Sequence, residues 1–307
     1  MYDVRGAVAG LLPALSCLCI ALAGCGGSPD AVRDPRAPVP APDVTLSAAD
    51  RERWAPGASR RGAVPVLLYG RLEPEAFARQ MTLLDHAGYT TITLDQLARF
   101  VRGEAVDLPP RPVLLTFDGG RLDSFARTDS ILRELGFGAV LFVDVGPVEE
   151  GDPGHLTYDE LERLQRGGRW DVQLQSGTGH RRIRYGPGPD DVGPFYAYRG
   201  GEEVLGGWRE RVFSDITYGE DQLAHHVRGY RPLAFAPPYG NYGQAGTNDP
   251  RIPRLLLERL ELSFPLVFAQ GRDGFATPSA PNPLGRFEIT ADTTEAQLRA
   301  LLESGPA

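Results

Sequence analysis

The chain has 307 residues, of which 42% are hydrophobic, 9% aromatic and 23% charged. This composition is ordinary for a folded globular protein and excludes a disordered, collagen-like or polytopic membrane chain. The net charge is −8, with 40 acidic residues against 32 basic ones. Because nucleic-acid binding needs a basic surface, we expect no nucleic-acid partner.

The first 25 residues have the pattern of an export signal. Residues 7–23 are mostly small and apolar, but the run is too short to span a bilayer comfortably and suits the core of a signal peptide. It ends in the sequence LAGC at residues 22–25, which resembles the bacterial lipoprotein box. The resemblance implies a signal peptide over residues 1–24, a lipid on Cys25 and an extracytoplasmic protein anchored to the membrane. The alternative is a plain secretory signal.

The next segment is rich in Ala, Pro, Asp and Arg and shows no lasting hydrophobic period. Prolines concentrated between residues 35 and 42 disfavour a helix there. We therefore predict that residues 25–62 form a lipidated, disordered tether that holds the body off the membrane, with a short helix left open at residues 47–54. The folded domain is predicted over residues 63–307.

The body alternates strand and helix patterns. Continuous apolar runs indicate strands buried on both faces of a parallel sheet, and apolar spacing with capping boxes, such as Thr93 with Gln96 and Thr157 with Glu160, indicates helices. The predicted strands cover residues 64–69, 113–117, 139–145, 170–175, 233–235, 266–268 and 286–289. The helices lie between them, and a last helix covers 294–302. This alternation predicts an α/β fold, a closed or nearly closed (β/α) barrel of about seven strands, with its chemistry at the strand ends.

Three strand ends carry the informative residues. They are TFDGG at residues 116–120, QSGTGH at 175–180 and FAPPYG at 235–240. With the apolar segments 64–69, 88–94 and 136–142, their order resembles the polysaccharide deacetylase (NodB-homology) family over roughly residues 64–290. The resemblance implies a distorted (β/α) barrel that removes acetyl groups from N-acetylated sugars with a divalent, zinc-like metal ion. It also implies a ligand of the cell envelope or an exopolysaccharide.

The family's metal site is only partly matched. Relatives carry Thr-Phe-Asp-Asp-Gly, whose first Asp is the base and whose second Asp binds the metal together with two His. The metal would activate a water molecule and polarise the amide carbonyl. Asp118 matches the base and His180 one metal ligand, but Gly119 replaces the second Asp, and Gly177 or Ser176 stands where the other His should be. A single imidazole does not hold a divalent ion tightly.

Two expectations follow from these departures. The unmodified chain should bind metal weakly and deacetylate little. Restoring ligands through Gly119→Asp with Gly177→His, or with Ser176→His, should bring the metal back. A further departure is Ala236, which stands where relatives often carry an Arg before Pro-Pro-Tyr-Gly.

Aromatic residues in two loops are the predicted substrate contacts, because their rings can stack on sugars or else fold back over the core. The predicted substrate-binding residues are Tyr196, Tyr198, Pro238, Tyr239 and Tyr242.

Three hypotheses of function stay open at this point. The first is a metal-dependent deacetylase with a rebuilt site that uses Asp118, His180 and Asp123 or Asp144. The second is a non-catalytic saccharide-binding lipoprotein that kept the cleft and lost the metal. The third is a glycosidase with a carboxylate pair of Asp118 and either Glu288 or Asp144. The sequence therefore leaves open whether the chain is an enzyme.

Overall fold

The computed structural model describes residues 39–70, 73–271 and 273–306. The predicted signal peptide and Cys25 lie outside these residues. Within these ranges no helix combines the length and the apolar character that crossing a membrane would require. The described residues all belong to one compact unit.

Strands and helices alternate along the described chain. The strands are β1 (Val64–Tyr69), β2 (Thr90–Thr91), β3 (Pro112–Gly119), β4 (Ala139–Asp144), β5 (Trp170–Ser176), β6 (Arg182–Arg184), β7 (Val192–Pro194), β8 (Ala234–Phe235), β9 (Leu266–Ala269), β10 (Phe275–Ala276), β11 (Leu284–Gly285) and β12 (Phe287–Ile289). The helices are α1 (Ala48–Arg53), α2 (Pro74–His86), α3 (Leu94–Val101), α4 (Leu122–Leu135), α5 (Val145–Glu149), α6 (Tyr158–Gly167), α7 (Leu205–His226), α8 (Ile252–Glu261) and α9 (Glu295–Ser304).

The main sheet is parallel and nearly closed. Its parallel strands run in the order β12-β1-β3-β4-β5-β8-β9-β11, with β2 paired to β3 and β10 antiparallel to β1. Strands β11 and β12 are separated by Arg286 alone, and they pair with opposite ends of the sheet, β9 and β1. Together they act as one interrupted strand that closes the barrel. The predicted distorted barrel of about seven strands is therefore confirmed.

The two faces of each strand enter two separate cores, as the period of two in a strand requires. Leu115 and Leu141 pack under the surrounding helices. Leu114 and Val140 face the barrel interior, where α3 covers one end. Asp118 continues the interior series of β3, which places its carboxylate at the carboxyl-terminal mouth of the barrel.

Part of the predicted tether belongs to the folded domain. Ser47 and Asp50 form a capping box at the start of α1, and Leu46 and Trp54 are buried in the main core. Asp50 also accepts a hydrogen bond from Arg79 of α2 at 3.0 Å. Because these contacts fix the segment on the barrel, the prediction of disorder is wrong for this part of residues 25–62. The domain begins before residue 63.

Candidate functional site at the strand ends

Asp118 at the end of β3 forms an ion pair with Arg286. The two guanidinium nitrogens Nη1 and Nη2 donate to Oδ1 and Oδ2 at 2.7 and 2.9 Å. The Arg286 side chain is fully buried, whereas the Asp118 side chain is 23% exposed. A buried guanidinium needs a charged partner, and a carboxylate that accepts both hydrogen bonds matches its planar geometry. Both Asp118 oxygens are thus occupied from the interior side of the barrel.

Arg286 is a site residue that sequence reasoning missed. It lies between β11 and β12, and its Nη1 also reaches Thr116 Oγ1 at 3.5 Å. The sequence showed Ala236 where relatives often carry an arginine, but it gave no sign that another strand supplies a guanidinium. The contact between Arg286 and Asp118 joins residues that are 168 positions apart in the chain.

Asp144 at the end of β4 holds His180. One Asp144 oxygen accepts a hydrogen bond from Ser176 Oγ at 2.6 Å, and the other contacts His180 Nδ1. Burial lowers the pKa of His180, but the hydrogen bond and charge of Asp144, with the charge of Asp118, outweigh it and raise that pKa. His180 Nε2 has no hydrogen-bond partner within the described part of the chain. The site therefore offers an oriented imidazole whose charged form is favoured by its carboxylate neighbours.

Tyr239 forms the exposed wall of the site. Its ring is 39% exposed and lies edge-on to the His180 ring, with centroids 4.8 Å apart. The Arg182 guanidinium carbon lies 5.3 Å from the Tyr239 ring centre. Tyr239 has a φ of 61°, a left-handed conformation that costs a non-glycine residue energy and that is frequent at functional sites. An aromatic face and a cation thus border the imidazole.

Asp215 fixes the loop that carries His180. It lies on α7, is almost completely buried, and accepts hydrogen bonds from Gly177 N at 3.1 Å, Thr178 N at 2.7 Å and Thr178 Oγ1 at 2.8 Å. Tyr196 donates a fourth hydrogen bond through its hydroxyl. Sequence reasoning missed Asp215. The available signal was an acidic residue between Val212 and Ile216 on the buried face of a helix.

The donors at the site do not fit the family's metal. Within the described ranges, no group of three or more His, Cys, Asp or Glu side chains could hold an ion. An imidazole whose Nδ1 contacts a carboxylate has the orientation of a metal ligand, but catalytic zinc sites use three protein ligands. Here Asp118 is ion-paired, and Asp123, considered for a rebuilt site, pairs with Arg121 at 3.1 Å on the surface. His180 would be left with too few partners.

The positions chosen for restoring ligands are also closed. A Cβ atom at Gly177 would lie 2.4 Å from the backbone oxygen of Asp215, and Gly119 has a φ of +92°, which strains any other residue. Ser176 is fully buried, and its hydroxyl donates a hydrogen bond to Asp144. The expectation that Gly119→Asp with Gly177→His restores a metal site is therefore wrong, because this backbone has no room for the second imidazole.

The predicted substrate-binding residues divide into two groups. Tyr196 is only 1% exposed, and Tyr242 and Pro238 are buried as well, so the prediction that these three contact substrate is wrong. Their apolar surface belongs to the core. Tyr198 is half-buried and stacks on Tyr185 with ring centroids 4.7 Å apart. Tyr239 alone of the five borders His180.

The carboxylate pair of the glycosidase hypothesis gains no support from the contacts. Glu288 is exposed on β12, and Asp118 is held by Arg286. Asp144 is taken up by Ser176 and His180. Asp118 and Asp144 thus each have a charged partner, and neither is left free to act as the acid or the nucleophile of a glycosidase.

The comparisons with known proteins identify the fold. No protein-family model and no curated protein matches the sequence. Solved structures do match. A de-N-acetylase from Aggregatibacter actinomycetemcomitans has a TM-score of 0.66 at 16% identity, covering 78% of this chain and 99% of that one. IcaB from Ammonifex degensii has a TM-score of 0.62 at 22% identity, covering 81% and 99%. The deacetylase domain of BpsB from Bordetella bronchiseptica has a TM-score of 0.63 at 18% identity, covering 76% and 98%. The chain has the fold of these deacetylases.

Proposed function

From this fold, we propose that the domain binds an N-acetylated glycan, either of the cell envelope or an exopolysaccharide. The glycan would bind at the site of Asp118, His180 and Tyr239, which we call the strand-end site. We further propose that it does not carry out efficient metal-dependent deacetylation. The neighbouring structures support the ligand class, because they are described as de-N-acetylases and polysaccharide deacetylases. The ion pairs at the site and its lack of three convergent metal ligands support the second part of the proposal.

The observation that carries the proposal is the pairing of the two residues that match the family's base and metal ligand, Asp118 and His180. Asp118 is held by Arg286, and His180 by Asp144. Water has a pKa of about 15.7 in bulk, and a bound metal ion lowers it to about 7. Without three convergent ligands this activation is lost, and a base at Asp118 would face an unactivated water molecule.

The same groups suit binding. The free Nε2 of His180 would donate a hydrogen bond to an acetyl carbonyl or hydroxyl oxygen, and the raised pKa favours the proton that this bond needs. The exposed ring of Tyr239 would pack against a sugar face. Asp144 and Asp215 keep the loop of His180 in place through their hydrogen bonds.

We also propose that the protein is extracytoplasmic and lipid-anchored through Cys25. Support comes from the apolar run at residues 7–23 and the LAGC sequence that follows. In this arrangement the domain meets its glycan outside the cytoplasmic membrane.

The experiment is calorimetric titration of the full-length protein with the tetramer of N-acetylglucosamine, and with the glucosamine tetramer as the matched ligand control. We expect binding of the acetylated tetramer that a chelator does not reduce, and acetate release near background with added zinc, cobalt or nickel. Tyr239→Ala should weaken binding by about 1–3 kcal/mol, a range borrowed from base–aromatic stacking. Tyr218→Ala, at an equally exposed tyrosine of α7 (38%), serves as the control. Metal-dependent acetate release that Asp118→Asn abolishes would refute the proposal.

A second candidate follows from the Asp144–His180 pair, which has the form of an acid–base dyad. In that case the uncharged form of His180, at a pH above its raised pKa, would take a proton from water as the water attacks an acetyl ester, and would return that proton to the departing sugar oxygen as acetate is released. Acetate release from O-acetylated sugar that resists chelation and disappears in His180→Gln would favour this candidate.

A further inference from the structure

A cavity lies at the end of the barrel opposite to the site of Asp118 and His180. Its volume is about 370 Å³, within the range of small-molecule sites. It adjoins the segment that leads into β1 and the residue before β3, which are the amino-terminal ends of the strands. We call it the cationic cavity, and its charged lining residues are Arg53, Arg60, Arg111, Arg299 and Glu303.

The positive charge of the cationic cavity is only partly balanced by carboxylates. Arg111 is only 7% exposed, and its guanidinium donates to Ala87 O at 2.8 Å and to Tyr89 Oη at 2.9 Å. Arg60 donates to the carbonyl oxygens of Leu302 and Glu303 at 2.6 and 3.3 Å. In the part of the chain that the structure describes, neither arginine has a carboxylate partner.

The remaining charges leave the excess in place. The Glu303 carboxylate lies 3.4 Å from Arg299, and Asp50 lies 3.7 Å from Arg53. Burying a guanidinium against neutral acceptors alone is costly, and an anion in the cavity would remove that cost. A phosphate group has enough oxygens and charge to engage several guanidinium groups at once.

An apolar cavity of about 410 Å³ continues from the cationic one. The two share Arg60, Tyr89, Leu302 and Glu303, and the apolar lining beyond them is Ala63, Pro65, Pro112, Phe275 and Pro306. A charged cavity joined to an apolar one matches an amphiphile, with its anionic group in the first and hydrocarbon in the second.

We infer that the cationic cavity binds the phosphate group of a phosphate monoester or lipid phosphate, and that the apolar cavity takes the adjoining hydrocarbon. This site is separate from the strand-end site and does not depend on its function. The arrangement would place a phosphate-bearing ligand beside α1.

The test is calorimetric titration of the full-length protein with inorganic phosphate, hexyl phosphate and hexanol. Trp54, which lines the cationic cavity, gives a second, fluorescence readout of the same binding. Losing one ionic hydrogen bond should weaken the binding of hexyl phosphate by about tenfold in Arg60→Gln. Arg254→Gln removes the same charge from an exposed ion pair of α8 and should leave the affinity unchanged.

The probes also distinguish the source of the phosphate. Hexyl phosphate binding about tenfold or more tightly than inorganic phosphate would identify a lipid phosphate, because burial of each CH₂ group adds affinity. Equal affinities would support the phosphate site in the cationic cavity and overturn the assignment of hydrocarbon to the apolar cavity. Failure of both to bind, or hexanol binding as tightly as hexyl phosphate, would overturn the inference. If Arg60→Gln does not fold, Arg299→Gln, at a 37% exposed wall position, takes its place, and unchanged affinity in a folded variant would also overturn it.

Discussion

Removing the Asp118 carboxylate should destabilise the domain by leaving Arg286 charged and buried. Breaking a buried ion pair by deleting one partner costs about 3–5 kcal/mol, and we take about 3 because water reaches part of Asp118. The guanidinium of Asp118→Ala would keep one partner, Thr116 Oγ1 at 3.5 Å, and its buried Nε already has none. Each kcal/mol should lower Tm by about 2–4 °C at this domain size.

The assay is urea unfolding of the wild type, Asp118→Ala, Arg286→Met and the double variant. Replacing both partners removes the buried charge, so the double variant should recover about 2 kcal/mol relative to the sum of the single losses. Asp118→Asn keeps an oxygen acceptor and should lose less than Asp118→Ala. A loss below about 1 kcal/mol in Asp118→Ala, or strict additivity in the double variant, would refute the reasoning.

Four further expectations concern other parts of the chain. Because the pKa of His180 is raised, its charged form stabilises the fold fully below the unfolded-state pKa of about 6.5, and this stabilisation is lost as the pH rises through the folded-state pKa. The free energy of unfolding measured across this window should show the loss in the wild type and not in Asp144→Asn. An NMR titration that gives His180 a pKa below 6.5 would contradict this expectation. Gly177→His should lower Tm and bind no metal, because its Cβ meets Asp215, whereas Gly62→His has open space and should keep Tm. Tyr196→Ala should lower the free energy of unfolding in urea by about 3–5 kcal/mol, whereas Tyr218→Ala, at an exposed position, should change it by no more than about 0.5 kcal/mol. Equal losses in the two variants would place Tyr196 outside the core. Cys25→Ser should move the protein from membranes to the soluble extracytoplasmic fraction, and unchanged membrane retention would contradict the lipid anchor.

Apolar patterns in the sequence predicted the strands β1, β3, β4, β5, β8, β9 and β12, but not the short strands β2, β6, β7, β10 and β11. Strand β1 has the bounds expected from its apolar run, and Thr93 and Thr157 cap α3 and α6 as predicted. Strand β3 extends past its apolar run into Asp118 and Gly119, where pairing with β4 continues although the side chains are no longer apolar. Hydrophobic periodicity therefore located the strands better than their ends.

The candidate site could be predicted only in part. The convergence of parallel strand ends placed His180 near Tyr239 and within the electrostatic reach of Asp118, as the contacts show. Arg286 and Asp215 could not be found in this way, because each acts on a partner far along the chain and no local pattern records such a pair. Tyr196 was misassigned for a related reason, since a tyrosine in a polar loop gives no sign that its hydroxyl has a buried acceptor.

The closure of the barrel by its last strand has a consequence during protein synthesis. Strand β1 finds its partner β12 only after residues 287–289 have been made, more than two hundred residues later. Such a pairing has a high contact order and forms late. Until then one edge of β1, whose six residues are all buried in the finished fold, is open to other chains. A chain that is terminated before β12 would therefore expose the unpaired edge of β1, which can pair with other chains. Strand β12 thus protects β1 from self-association.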